Sequence, residues 1–282
     1  MRKAAVILAA AALLAAGQAQ AVSLKKIWET EKVFDTPESV IYDAEFHVLY
    51  VSSIGGSPQA KDGNGFISRV SMKGEILDLK WIKGLNGPKG MGIHGRTLYV
   101  ADIDELVEID IEGGRIRKRY PAREARFLND VVTGADGTVY VSDSSRDHSA
   151  IYRLKGGSLE VWKESKLLGR PNGLAMRDGM LIVGVSSDGM LRQIDPASGG
   201  IEDLAVVGSA IDGVAVAYSR NLIVSDWSGR TMFIDREGGI RILLDTTESK
   251  INSADICYIR KYDMLLIPTF SDDRVVACRV VH

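Results

Sequence analysis

Short apolar runs broken by Gly, Asp, Asn or Ser succeed one another along almost the whole chain, and their alternation is that of half-buried strands. Six segments share one outline: a turn, an apolar strand, a turn, a strand ending in a small residue or Asp, a short loop and a third strand. They begin "PESVIYDAEFHVLYVSS", "PKGMGIHGRTLYVADID", "LNDVVTGADGTVYVSDS", "PNGLAMRDGMLIVGVSS", "IDGVAVAYSRNLIVSDW" and "NSADICYIRKYDMLLIPTF". The second residue of each marks a register, Glu38, Lys89, Asn129, Asn172, Asp212 and Ser253, with spacings of 51, 40, 43, 40 and 41. Repeats of this length built from short strands predict an all-β protein, a six-bladed β-propeller. The sixth unit stops after its third strand, "RVVACRVVH", whereas the third continues into a fourth, "GSLEVWKES". "SLKKIWETE" (Ser23 to Glu31) looks like the missing strand, so it is expected to complete the last blade and leave no open edge.

Upstream of that strand, Arg2 and Lys3 precede the apolar run "AAVILAAAALLAA" and "AQA" ending at Ala21, the pattern of a cleaved secretory signal. The expected organisation is a signal over 1–21 and one propeller domain over 22–282, periplasmic or secreted. No Cys follows the cleavage site to accept a lipid, so no membrane anchor is expected. Without Arg2 and Lys3, 33 basic residues face 37 acidic ones, and no basic stripe is available for nucleic acid.

First strands of a propeller are innermost, so the six register residues are expected around one axis at the mouth of the central channel. Glu38, Asn129, Asn172 and Asp212 together offer two carboxylates and two amide oxygens, hard donors that suit one divalent cation, Ca²⁺ above all. Taken singly, Asn-Gly, Asn-Asp and Asp-Gly are also turn formers. Their coincidence in one register is what points to a site. Lys89 joins the ring by the same register. Its ammonium lowers cation affinity by like-charge repulsion, or receives an anionic substrate group, or leans out and pairs with Glu38. Loops entering the first strands share a face with loops joining second and third strands. That face carries the long loop "SSIGGSPQAKDGNGF" (Ser52 to Phe66), "SSRDHS" (Ser144 to Ser149), Trp227 and Phe270. Asn129, Lys89, Ser253, Trp227 and Phe270 are the candidate substrate contacts.

These residues resemble the senescence marker protein (regucalcin)/gluconolactonase/LRE-like group of six-bladed propellers. In "PESVIYD" the Glu stands five residues before the Asp, as in that family's first-blade "EGPVWD" pattern. "LNDVVTGADG" is similar to its "ND…DP.G" blade, "PNGLA" to its "NGL" blade and "IDGVAV" to its "DG" blade. The resemblance implies that Glu38, Asn172 and Asp212 hold the cation, that Asn129 helps hold cation or substrate, and that Asp212 is the base of a metal-dependent hydrolase of lactones or related esters. Phe127 stands where sugar-lactone members carry Arg, with Arg126 one step further away.

Other signals carry less. Asp102, Asp143 and Asp226 recur at the ends of second strands, where a short carboxylate accepts N–H bonds from the following turn. The four histidines, His47, His94, His148 and His282, show no metal spacing, and no "GxSxG" elbow occurs. Cys257 and Cys278 fall on first and third strands of one blade, roughly 9.5 Å apart by strand spacing, and are expected to be free thiols. Two functions follow: a calcium-dependent lactonase or esterase acting on a small molecule, or a non-catalytic NHL-type propeller that binds a protein or glycan through its loop face. Glu38 favours the first, because a plain NHL-type turn needs no carboxylate there.

Overall fold

β-Branched and aromatic residues crowd the second strand of each repeat, as in Val48–Ser53 and Val139–Asp143, and every residue of these two strands is buried. A strand buried on both faces must lie between two packed layers, and here the layers are neighbouring blades. The computed structural model describes residues 22–282; the expected signal over 1–21 lies outside them. Six four-stranded antiparallel sheets make a six-bladed β-propeller. Its first strands are Pro37–Asp43, Pro88–His94, Leu128–Thr133, Pro171–Arg177, Ile211–Val216 and Cys257–Ile259. The core is divided into six wedges, one between each pair of blades. Val100, Leu98 and Met91 of the second blade meet Val48 and Tyr50 of the first, and Leu266 and Ala277 of the sixth meet Leu49 and Val51 of the first.

The ring closes as the repeat pattern requires. Ser23–Glu29 pairs antiparallel with Arg274–Val281, from Ser23 opposite Val281 to Glu29 opposite Val276, and supplies the outer strand of the sixth blade. Beyond it, Thr30 N donates to Val275 O at 3.0 Å and Val275 N donates back to Thr30 Oγ1 at 3.0 Å. Trp28 crosses to the first blade, where Nε1 donates to Met72 O at 3.1 Å. Cys257 and Cys278 are free, on the first and third strands of the last blade, with Leu265 and Leu266 paired between them. Among the described residues no helix is long and apolar enough to cross a membrane.

Candidate functional site

The start of each first strand is where its pairing breaks. In the first blade the register shifts between Pro37 and Ser39, and in the next four between Pro88 and Met91, Leu128 and Val131, Pro171 and Leu174, and Ile211 and Val214. A bulge releases residues from the ladder and re-aims their side chains. Those released are Glu38, Lys89, Asn129, Asn172 and Asp212, and all five are buried. The N–H groups freed with them find partners on the second strands. Ser52 Oγ accepts from Ser39 N at 3.0 Å, Ser142 Oγ from Asp130 N at 2.9 Å and Ser225 Oγ from Gly213 N at 2.9 Å. These bonds explain the serines of "VSS", "VSD" and "VSD".

The sixth blade corrects the sequence register. Ser253 bridges Thr269 as Pro37 pairs with Ser53, and Asp255 bridges Ser39. Ala254, not Ser253, therefore stands level with Glu38 and Asp212. Ser253 is buried and does not line the cavity described below. "NSAD" lacks the Asn-Gly or Asp-Gly mark of the fourth and fifth blades, so nothing in it fixes the register against a slip of one residue.

One step below the ring lies a second layer: Ser39, Gly90, Asp130, Gly173, Gly213 and Asp255. The glycines answer to crowding, because none of the three has a positive φ. A Cβ on Gly173 would stand 2.8 Å from Val214 N and 2.9 Å from Gly213 C, and one on Gly213 would stand 2.6 Å from Ile256 N. Asn172-Gly173 and Asp212-Gly213 are thus close approaches of neighbouring inner strands, not turns. The two carboxylates occupy the room beside them. Asp130 accepts from Leu174 N and Val131 N, both at 2.6 Å, and Asp255 accepts from Ser39 Oγ at 2.6 Å.

Above the ring opens a cavity of about 380 Å³, of small-molecule size, whose lining includes Glu38, Lys89, Asn129, Asn172 and Asp212. Its walls are apolar: Ile54, Pro58, Phe127, Ile211, Trp227 and Phe270. Trp227 and Phe270 meet edge to face with ring centroids 4.7 Å apart, on the rim where the sequence places them. The long loop of the first blade folds over the mouth, contributing Ile54 and Pro58, and Lys61 on it pairs with Asp104 at 2.5 Å. Asp102 and Asp143 hold the approaches to the ring. Asp102 Oδ1 accepts from Gly87 N at 2.7 Å, and Asp143 accepts from Phe127 N at 3.1 Å. Both thus clamp the loop before the first strand; Asp143 also accepts from Ser145 N at 3.0 Å, and Asp226 from Gly229 N at 3.1 Å, each in the turn that follows its strand.

Lys89 belongs to the ring and is not free within it. Nζ donates to Gly87 O at 2.8 Å and Pro58 O at 3.1 Å and lies 4.6 Å from the centroid of Phe127. It makes no ion pair with Glu38 among the described residues. Burial pushes its pKa down, against the pull of Glu38 and Asp102.

The carboxyls shift the other way. Burial raises Glu38 well above the usual carboxylate range, helped by the charge of Asp212 and opposed by Lys89. Burial raises Asp212 to about 7 against the amide bond from Asn172, and Asp130 to about 7 against its two backbone donors. Asp255 is raised well above its ordinary value, first by burial and then by Asp130 and Glu38. Four carboxyls gathered out of water call for protons or a cation.

The ring presents oxygen donors of the kind a cation takes. Asn172 Nδ2 donates to Asp212 Oδ1 at 2.7 Å, which commits the amide nitrogen and leaves the amide oxygen available. Glu38 Oε2 and Asp212 Oδ2 are buried with no hydrogen-bond partner. Unpaired carboxylate oxygens are costly in an interior, and two on one ring form a donor set for a hard ion.

A second cluster escaped the sequence because two loops and the end of an outer strand build it. His148 Nε2 lies 3.1 Å from Glu124 Oε2 and 3.1 Å from Glu164 Oε1, with Asp143 Oδ2 3.6 Å behind Nδ1. One nitrogen and two carboxylate oxygens within 4.8 Å of one another can hold a metal ion. No spacing of His with His or Cys announces it, since one partner comes from the loop before the blade's first strand and the other from the end of its outer strand.

No protein-family model and no curated protein matches the sequence. Solved structures match its fold. A gluconolactonase from Xanthomonas campestris superposes with a TM-score of 0.65 at 17% identity, over 92% of this chain and 89% of that one. A virginiamycin B lyase from Staphylococcus aureus, solved with quinupristin, gives 0.65 at 13% identity, over 93% and 100%. A chain of a nidogen/laminin complex gives 0.67 at 20% identity, over 79% and 84%. The fold is the one that the resemblance to the gluconolactonase group implies.

Proposed function

We propose that the protein is a metal-dependent hydrolase of lactones or related esters, exported to the periplasm or secreted by the leader pattern of residues 1–21. The observation that carries the reading is the pair of buried, unpartnered oxygens, Glu38 Oε2 and Asp212 Oδ2, on the polar floor of an otherwise apolar cavity. Glu38, Asn172 and Asp212 hold the cation, Ca²⁺ by donor type, and Asn129 holds the cation or the substrate. When bound, such an ion polarises a scissile carbonyl and lowers the pKa of water. Asp212, whose Oδ2 is buried without a partner, is the base in this reading. Asn172 fixes its orientation. Trp227, Phe270 and Phe127 exclude water from the substrate's apolar part, and Lys89 ties the long loop to the ring through Pro58. Ser253, below the cavity wall, keeps no substrate role in this reading.

Calorimetric titration of chelator-treated protein with Ca²⁺, paired with turnover of a chromogenic ester and a δ-lactone, tests it. One bound ion and calcium-dependent turnover are expected. Absence of both heat and thermal shift at millimolar Ca²⁺ removes the metal site. A second reading, a propeller that binds a protein or glycan through its loop face, then takes over; it is supported by the likeness to the nidogen/laminin chain and by Trp227, 41% exposed on the rim.

A further inference from the structure

Arg170 immediately precedes Pro171 and the ring residue Asn172, and it lines the cavity. Its φ of 55° puts a non-glycine residue in the left-handed region, directly before a proline. The backbone there is pinned on both sides: Arg170 N donates to Ser149 Oγ at 2.8 Å, and Arg170 O accepts from Ser186 N at 3.0 Å. A strained conformation held by two neighbouring loops fixes where the side chain departs.

That side chain has nothing to pair with. Among the described residues Arg170 makes no ion pair and no side-chain hydrogen bond, and its Nε is buried without a partner. Arg119 and Arg192 contrast with it: Arg119 pairs with Glu105, and Arg192 with Asp188 and Asp203. Lys89, the other cation of the cavity, spends its protons on Gly87 O and Pro58 O and faces Phe127. Among the residues that line the cavity, Arg170 is therefore the cation left without a partner, beside largely apolar walls and a floor that carries Glu38, Asn129, Asn172 and Asp212.

We infer that Arg170 forms an anion subsite at the mouth of this cavity and selects a small molecule with an apolar body and a carboxylate. The planar fork of Arg receives a carboxylate through two parallel N–H···O bonds, which a neutral isostere cannot match. The apolar body rests on Ile54, Phe127, Trp227 and Phe270. On the hydrolase reading, on which this part rests, the substrate is an ester or lactone with its reacting carbonyl on the floor and its carboxylate at the rim.

The test separates the subsite from the reaction. Binding of 3-phenylpropanoate and of its uncharged amide is measured by calorimetry on the calcium-loaded wild type, Arg170→Gln and Arg170→Lys. The wild type is expected to favour the carboxylate by about tenfold, the worth of a charge-assisted pair. Arg170→Gln should bind both alike, and Arg170→Lys should keep part of the preference. A preference that survives in Arg170→Gln, or a wild type that binds the carboxylate no better than the amide, overturns the subsite. Hydrolysis of the mono-4-nitrophenyl ester of glutaric acid against 4-nitrophenyl pentanoate forms the second arm. Loss of discrimination in Arg170→Gln, mainly through KM, is expected. Turnover of neither ester by a wild type that still prefers the carboxylate sinks the hydrolase reading and leaves the subsite standing.

Discussion

Asn172 donates its amide hydrogen to Asp212 Oδ1 at 2.7 Å, while Oδ2 of the same carboxylate is buried without a partner. One oxygen of Asp212 is thus steered by its neighbour on the ring and the other is held ready. Asp212→Asn keeps the size and one carbonyl oxygen but loses the charge. It should weaken Ca²⁺ binding by about tenfold or more and abolish ester turnover, with the melting temperature of the cation-free protein unchanged or raised, since a buried ionisable group has been removed. Calorimetry and a thermal melt on the same preparation check both halves.

Replacing Lys89 by Met should tighten Ca²⁺ binding by about tenfold, because one positive charge leaves a ring of low dielectric. The same change cuts the tie to Pro58 O, so the loop between Ile54 and Asn64 should become more exposed to hydrogen exchange. Unchanged affinity would mean that the ammonium is already neutral or too remote to matter.

Stability should fall with rising pH in the absence of a cation. Asp212 and Asp130 titrate near 7 in the fold, and Glu38 and Asp255 are raised well above their ordinary values, all chiefly by burial. In the unfolded chain carboxyls give up their protons near 4. Between these values the folded state binds more protons, so the stability present below about pH 4 is lost as pH climbs through about 7. Ca²⁺ competes with those protons and should restore the melting temperature at pH 8 while doing little at pH 5. A melting temperature that rises from pH 5 to pH 8 without added cation contradicts the burial of these groups in neutral form.

Gly173→Ala distinguishes a close approach from a turn. The φ of Gly173 is one that alanine adopts freely, so a turn would tolerate the change or gain from it. Here the added Cβ meets the backbone of Asp212, Gly213 and Val214. A loss of about 1–3 kcal/mol is expected, with weakened cation binding as the inner strands move apart. Denaturant unfolding measures the loss.

The fold was legible because a propeller repeats itself. The period near 40 residues, the alternation within each strand and the matching "SLKKIWETE" carried the blade count and the closure. Glu38, Lys89, Asn129, Asn172 and Asp212 were legible for the same reason, as one position read five times. The sixth place was not: Ala254 is apolar and leaves no polar mark, so Ser253 beside it took the register. Asp130 directly follows the marked Asn129 and was hidden by reading "ND" as turn chemistry, and Asp255 was hidden by the slip of register at Ser253. Their burial depends on Gly90, Gly173 and Gly213, whose role is spatial and shows only when neighbouring blades are placed side by side. His148 and Arg170 were beyond reach of the pattern, since one depends on two loops and a strand end converging and the other on partners it lacks.

The pairing of Ser23–Glu29 with Arg274–Val281 makes the last blade the only one assembled from opposite ends of the described chain. Five blades are runs of consecutive hairpins, and each can form once its own stretch is available. The sixth must wait for both ends, so the cost of bringing them together falls on a single late event. Until then an outer strand and a sheet edge stay unpaired at the same moment, and a second copy of the chain can supply the missing partner. The clasp that removes an edge from the finished ring is thus also the place where, before closure, that edge is open to another chain.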